Sequence, residues 1–229
     1  MTPIKLVAFD LDGTLIDSAA DIARAVDRAL LELGQRTYGV EEVKGWVGEG
    51  LSKLLKRALT GELEGEPDPA LLVRCRDEFR RFYKEGLCVD TRFYPAALET
   101  LDILKPLCKL ACITNKAAEF TEPLLKTLGV RERFDVVVCG DTLKVLKPDP
   151  APLLYAAAQV GVAPTACCMV GDSRNDILAA KAAGFRAVAV SYGYRQGVDL
   201  MALGADTELN SLTELGPWFK ALDSMAASR

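Results

Sequence analysis

The sequence predicts an α/β fold: a Rossmann-like parallel sheet with helices on both faces and an inserted helical cap domain. Two observations lead to this prediction. Along most of the chain, short apolar and β-branched runs alternate with longer segments of helical periodicity. One long stretch after the first strand breaks this alternation and contains only helical patterns.

Six runs are predicted to be buried strands because they are short, apolar and bounded by polar or turn-forming residues. They lie at residues 5–9, 109–114, 134–139, 167–171, 186–190 and 205–208. Helices are predicted between and after them, at residues 94–105, 117–128, 150–160, 175–183 and 212–222. Strands that are joined through helices pair in parallel.

The insertion is predicted to be a separate helical unit. Apolar residues at helical spacing recur in residues 21–33, 51–59 and 71–83, and glycines and prolines separate these segments. We therefore predict a core of residues 1–17 and 92–229 and a cap domain of residues 18–91. The hinges between them are expected near residues 14–18 and 88–95.

Composition limits the chemistry and the location. The chain has 229 residues, a net charge of −4, seven cysteines and no histidine. The lack of histidine excludes a Ser-His-Asp triad, a phosphohistidine and a histidine-bound zinc. The cysteine count is odd and the spacing irregular, which is typical of reduced thiols in the cytoplasm. No basic surface for nucleic acid and no membrane segment are indicated, and we expect a monomer or a homodimer.

Polar residues of chemical interest follow four of the predicted strands. Ligands of open parallel sheets bind beyond the carboxyl ends of the strands, so these residues are expected at one edge. They are Asp10 and Asp12 after the first strand, Thr114 and Asn115 after the second, Lys147 after the third, and Asp172 and Asp176 after the fourth. Each motif alone is compatible with an ordinary turn, and it is their joint order that indicates a site.

The residue types at this edge favour phosphate chemistry. Clustered aspartates repel one another unless a cation lies between them, and oxygen ligands suit Mg²⁺. Thr114, Asn115 and Lys147 supply hydrogen-bond donors and a positive charge, as a phosphoryl group requires. The sequence therefore predicts a magnesium-dependent site for a small phosphorylated metabolite.

Four motifs resemble those of the haloacid dehalogenase superfamily of phosphatases. They are DLDGT at residues 10–14, TN at 114–115, KPDP at 147–150 and GDSRND at 171–176. The resemblance covers the whole chain, including a cap inserted after the first motif. GWVGEG at residues 45–50, TNK at 114–116 and YGY at 192–194 are similar to members that act on 2-phosphoglycolate. The resemblance implies hydrolysis of a small phosphate monoester, with 2-phosphoglycolate as the first candidate substrate.

The resemblance also implies roles for individual residues. Asp10 attacks phosphorus and becomes a phosphoaspartate, and Asp12 protonates the leaving alcohol and then deprotonates water. Lys147 assists catalysis and, with Thr114 and Asn115, binds the phosphoryl group. The implied Mg²⁺ ligands are Asp10, the backbone carbonyl of Asp12, Asp172 and Asp176, the last either directly or through water.

Gly48 and Gly50 precede a predicted helix, and two interpretations of them stay open. Free backbone N–H groups at a helix start bind anions, so these glycines are candidates for holding a substrate carboxylate. The alternative is a turn between two helices.

Other functions share parts of this pattern. A phosphatase for another small metabolite phosphate, or a phosphomutase on the same core, would have the same aspartates. Cys168, Gly171 and Arg174 have the C-x-x-G-x-x-R spacing of cysteine phosphatases, although Asp172 would repel phosphate there. A receiver-like module that is phosphorylated as a signal is disfavoured because such domains carry the aspartate in mid-chain and have no cap.

Overall fold

The structure, a computed structural model, describes residues 3–194 and 197–227. Within them the strands, numbered in chain order, are β1 (Leu6–Phe9), β2 (Ile16–Asp17), β3 (Arg92–Phe93), β4 (Lys109–Ile113), β5 (Val136–Val138), β6 (Cys167–Gly171), β7 (Arg186–Val190) and β8 (Thr207–Leu209). The α-helices are α1 (Ala19–Glu32), α2 (Val40–Lys44), α3 (Leu51–Thr60), α4 (Pro69–Glu85), α5 (Ala97–Leu104), α6 (Ala118–Thr127), α7 (Ala151–Gln159), α8 (Arg174–Ala183) and α9 (Leu215–Ala227).

The predicted fold class is confirmed. Six strands form one parallel sheet in the spatial order β5-β4-β1-β6-β7-β8. Because β1 lies between β4 and β6, the strands of this sheet that follow it in sequence, β4 and β5, lie on one side of it, and β6 to β8 lie on the other side. A reversal of this kind opens a crevice at the carboxyl ends of the strands.

Both faces of the sheet are covered, and β1 shows why its sequence is apolar throughout. Its side chains alternate: Val7 and Phe9 join one core cluster, and Leu6 and Ala8 join the other. Helices α5, α6 and α9 pack on the first face, and α7 and α8 pack on the second. A strand with helices on both sides must be apolar at every position.

Most predicted elements differ from the observed ones by a few residues at their ends, where helices and strands fray. Helix α2 was not predicted, because its five residues are too short to show a periodic pattern. The predicted helix at 212–222 is a short 3₁₀ turn followed by α9. Of the predicted core range, residues 1, 2, 195, 196, 228 and 229 lie outside the described residues.

Helices α1 to α4 supply most of a third apolar cluster, to which Phe120 and Tyr194 of the core also belong. It includes Val26 and Leu30 of α1, Leu55 of α3, and Phe79 and Tyr83 of α4, each no more than 2% exposed. An apolar cluster formed mainly by these four helices is consistent with the proposed cap of residues 18–91.

The two chain segments that connect core and cap pair with each other as short strands. β2 and β3 run antiparallel, with Ile16 opposite Phe93 and Asp17 opposite Arg92. The prediction of no strand between residue 9 and residue 94 is therefore wrong. Two residues cannot show the alternation by which strands are recognised in sequence.

Asp21, in the first turn of α1, ties the outgoing segment to the returning one. The residue is 1% exposed. Its carboxylate accepts hydrogen bonds from the backbone N–H groups of Val89, Asp90 and Thr91 at 2.8–3.1 Å. Hydrogen bonds to Thr91 and to Arg24 lower the pKa of Asp21 against the opposing effect of its burial. The start of the cap is thereby fixed to the segment that leads out of it.

None of the helices in the described part of the chain is both long enough and apolar enough to cross a membrane.

Candidate active site

The structure brings three of the predicted carboxylates together. Asp10 follows β1 and Asp172 follows β6, and these strands pair with Phe9 opposite Val170. The backbone N–H of Asp10 donates to the carbonyl of Val170 at 2.9 Å, which keeps the two strand ends level. Asp176 lies in the first turn of α8. One oxygen from each carboxylate lies within 4.8 Å of the others, and all three residues are buried.

The negative charge that these three carboxylates would carry is not fully balanced by nearby positive charge. Burial raises the pKa of Asp10 to about 7, although the charge of Lys147 opposes the rise. Burial also raises the pKa of Asp172 to about 8, and the negative charges of Asp10 and Asp176 add to the effect. A cation among these oxygens would favour their charged forms. The three carboxylates therefore fit a hard divalent cation.

Lys147 lies beside the same acids. Its Nζ donates to Asp176 Oδ1 at 2.7 Å and to the carbonyl oxygen of Ile113 at 2.6 Å, and lies 2.9 Å from Asp10 Oδ1. The charges of Asp10 and Asp176 raise the pKa of Lys147 despite its burial, which works in the opposite direction. An ammonium group has three N–H donors, and each has a partner here. The lysine is thus held at a fixed position next to Asp10.

Asp176 also has a structural task. With Ser173 it forms the capping box of α8: Oδ2 accepts from the Ser173 backbone N–H at 3.0 Å and from its hydroxyl at 2.6 Å. Oδ1 accepts from Lys147. Both oxygens therefore have protein partners, which fix this carboxylate close to Asp10 and Asp172.

The side chain of Asn115 connects the sheet edge to the cap. Its Nδ2 donates to the carbonyl of Gly48 at 2.9 Å and to that of Lys147 at 3.0 Å, and its Oδ1 accepts from the Lys147 backbone N–H at 3.0 Å. Both amide hydrogens are committed to the backbone. In this arrangement Asn115 holds Lys147 and the cap in place. Thr114 lines the cavity beside Asp10, and its hydroxyl accepts from the backbone N–H of Lys116, so its own hydrogen is available to donate.

Asp12 makes two contacts with polar side chains. It accepts a hydrogen bond from the hydroxyl of Ser18, at the start of the cap. Its two carboxylate oxygens each lie 3.0 Å from Nζ of Lys116, whose side chain is 8% exposed. Lys116 was not among the predicted site residues. The signal for it was the third letter of the TNK motif, which places a lysine directly after the strand-end Thr114 and Asn115.

Gly13 allows a close approach of the backbone to Asp172. It has a φ of +92°, and an added Cβ would lie 2.3 Å from Asp172 Oδ2. Asp172 itself is fixed by Thr14, whose hydroxyl donates to Oδ1 at 2.8 Å, and by the backbone N–H of Tyr194, which donates to Oδ2 at 2.6 Å. A side chain at position 13 would displace this carboxylate.

Gly48 and Gly50 lie at the cap side of the cavity. Gly50 is the residue before α3 and has a φ of +85°, and Gly48 has a φ of +117°. The Gly48 carbonyl accepts hydrogen bonds from Asn115 and, at 3.3 Å, from Asn175 of α8. The turn therefore contacts the core at two points beside the acids.

Cys168 lies away from the cavity. It is in the middle of β6, is 0% exposed, and packs in the same core cluster as Val7 and Phe9. Burial raises its pKa well above the ordinary value for a thiol. A thiolate nucleophile is thus disfavoured at this position.

A cavity between cap and core opens onto Asp10, Asp12 and Thr114. Most of its wall is apolar. The other lining residues are Ile22, Val47, Gly48, Gly50, Leu51, Leu54, Phe79 and Tyr83 from the cap and Asn115, Lys116, Ala117 and Phe120 from the core.

Known proteins resemble this chain over nearly its full length. It is 46% identical to a phosphoglycolate phosphatase of Nitrosospira multiformis over 93% of this chain and 94% of that protein. A crystal structure of a predicted phosphoglycolate phosphatase from Haemophilus somnus 129PT superposes with a TM-score of 0.86 at 32% identity, covering 94% of this chain and 97% of the other. CbbY from Rhodobacter sphaeroides, solved in complex with xylulose-(1,5)bisphosphate, has a TM-score of 0.78 at 26% identity, with 93% and 96% covered.

The sequence model of one hydrolase family matches residues 4–184. That range contains the sheet edge with all its carboxylates, Lys147 and the cap. Together with the high identity to full-length relatives, the match confirms the family that the four motifs predicted. The chain belongs to the haloacid dehalogenase-like hydrolase family.

Proposed function

We propose that this enzyme hydrolyses 2-phosphoglycolate to glycolate and phosphate with the help of Mg²⁺. The enzyme class, a phosphoric monoester hydrolase, is confirmed by the family and by the relatives of similar length. The observation that carries the proposal is the convergence of Asp10, Asp12, Thr114 and Lys147 at one edge of the sheet, open to the cavity or directly behind it. The choice of substrate rests on the names of the relatives.

In the first step we assign the nucleophile to Asp10 and the proton donor to Asp12. A carboxylate oxygen of Asp10 forms a bond to phosphorus as the ester P–O bond breaks, and the proton of Asp12 goes to the leaving oxygen. In the second step water attacks the phosphoaspartate and gives a proton to Asp12, which releases phosphate and restores Asp10. Thr114 and Lys147 stabilise the charge of the phosphoryl oxygens, and the cap keeps bulk water away from the reacting atoms.

Asp10, Asp172 and the backbone carbonyl of Asp12 are the proposed ligands of Mg²⁺, and Asp176 supports them directly or through water. The three carboxylates form the acidic cluster described above. When bound, Mg²⁺ would neutralise the repulsion between the nucleophile and the phosphate oxygens. All seven cysteines are free, which supports the proposed cytoplasmic location, and the proposed assembly is a monomer or a homodimer.

Metal-free protein is expected to lose stability as the pH rises from 5 to 9. The pKa values of Asp10 and Asp172 are about 7 and about 8 in the folded chain, against 3.8 for an ordinary aspartate. The folded state thus binds protons that the unfolded state has released, and this contribution is lost progressively as the pH rises from about 4 to about 8. Mg²⁺ replaces those protons. Its effect on the melting temperature should therefore be larger at pH 8.5 than at pH 5.5.

Thermal unfolding in EDTA and in Mg²⁺ at matched ionic strength measures this difference. An equal Mg²⁺-induced shift at both pH values would contradict it, since it would mean that the metal does not compete with protons for these carboxylates.

Phosphate release from a panel of monoesters tests the substrate. We expect the highest kcat/KM for 2-phosphoglycolate, with no turnover in EDTA. A preference for a sugar phosphate would retain the hydrolase and overturn the substrate. Dependence on a sugar bisphosphate, with transfer of phosphate to a sugar hydroxyl, would instead indicate a phosphomutase.

A further inference from the structure

The cavity combines a largely apolar wall with little positive charge. Among the described residues that line it, Lys116 is the only one with a positively charged side chain. The surrounding wall is apolar, with Ile22, Leu54, Phe79 and Phe120 contributing no hydrogen-bonding side chains. A cation in such surroundings attracts an anion strongly, because little water screens it.

Asp12 uses only part of the binding capacity of Lys116. Its two oxygens lie 3.0 Å from Nζ, which accounts for two of the three N–H donors of the ammonium group. This buried ion pair holds the ammonium group of Lys116 at the floor of the cavity, next to Asp12. The third donor has no carboxylate partner among the described residues and lies near Tyr83, so a second anion can bind it.

Tyr83 approaches the same lysine from the cap. Lys116 Nζ lies 4.9 Å from the centre of the Tyr83 ring. The ring is held by Phe79 at 5.2 Å and by Phe120 of the core at 5.0 Å between ring centres. The residue is 1% exposed, and its hydroxyl makes no hydrogen bond of good geometry with the described residues, although Lys116 lies close enough to oppose the rise that burial causes in the pKa of Tyr83. A buried hydroxyl without a well-aligned partner is costly, and an anion bound in the cavity would supply that partner.

We infer that Lys116 and Tyr83 together bind the carboxylate of the substrate, one from the core and the other from the cap. This inference rests on the proposed function and names the residues that select its substrate. A carboxylate accepts one charge-assisted hydrogen bond from the ammonium and one from the phenol. The several hydroxyl groups of a sugar phosphate would find few partners on this apolar wall. Because the two donors come from different domains, the carboxylate also holds the cap against the core.

The test compares 2-phosphoglycolate with 2-hydroxyethyl phosphate, in which a hydroxymethyl group replaces the carboxylate. The readout is the ratio of kcat/KM for the two esters. Tyr83→Phe removes one oxygen and leaves the ring, and it should lower this ratio by about 10-fold or more. Lys116→Met should lower the ratio further, because it removes the charge. Tyr155→Phe is the matched control: this tyrosine lies on α7 and is 37% exposed, so the ratio should not change.

Each outcome separates the two proposals. If the wild-type enzyme does not prefer 2-phosphoglycolate over the hydroxyethyl ester, the proposed substrate is wrong. If the wild type has that preference and both variants keep it, the substrate stands and the inference is overturned. An equal loss for both esters in Lys116→Met, with no change of ratio in Tyr83→Phe, would also overturn it, because Lys116 would then act through Asp12 alone.

Discussion

Phosphate release by Asp10→Asn is expected to fall by about 10³-fold or more, as in other enzymes that lose their nucleophile. The amide has nearly the same shape as the carboxylate and can still accept a hydrogen bond from Lys147, so the fold should persist. It cannot, however, form the phosphoaspartate. The measurement is single-turnover phosphate release with Mg²⁺, with circular dichroism as the check on folding.

Cys168→Ser is the paired variant for this experiment because it removes the rival nucleophile. Cys168 is 0% exposed and burial raises its pKa well above the ordinary range. We expect it to retain most of the activity. If phosphate release survived in Asp10→Asn and disappeared in Cys168→Ser, the assignment of the nucleophile would be wrong.

Lys147→Met is expected to destabilise the metal-free protein by about 3–5 kcal/mol, the usual effect of removing one partner of a buried ion pair. The Lys147 side chain is 2% exposed and lies 2.9 Å from Asp10 and 2.7 Å from Asp176. Without it, the buried carboxylates of Asp10 and Asp176 lose the cation that they share. Activity should fall as well, because the positive charge of Lys147 no longer stabilises the phosphoryl oxygens.

Denaturant unfolding in EDTA measures the loss of stability, and a repeat in Mg²⁺ should recover part of it. Lys105→Met provides the comparison, since Lys105 pairs with Asp135 at a similar 3.0 Å but is 37% exposed. Exposed pairs contribute about 0–1 kcal/mol. Equal effects of the two substitutions would contradict the role of Lys147 as the counter-charge of the acidic cluster.

The sequence was sufficient to predict those parts of the structure that follow from a local, repeating pattern of residues. The sheet followed from apolar runs that alternate with helices, and the positions of Asp10 and Asp172 followed from the rule that parallel strands end at one edge. These inferences need only local periodicity and the direction of the strands.

Contacts between cap and core could not be predicted in the same way. Tyr83 occupies the buried face of an amphipathic helix, so in sequence it is indistinguishable from a packing residue. The commitment of Asn115 to Gly48 depends on how the cap is placed, and no local pattern reports that placement. Lys116 lies directly beside a predicted motif. Its pairing with Asp12 joins residues 104 positions apart.

The pairing of β2 with β3 has a consequence for how this protein can vary. Paired strands lie about 4.8 Å apart, so the insertion leaves the core and re-enters it at almost the same point. A segment with adjacent ends can be lengthened, shortened or exchanged without moving the four loops around Asp10. The cap's share of the substrate pocket and the residues of the chemical step thus lie on separable parts of one chain, and the first can diverge while the second is retained.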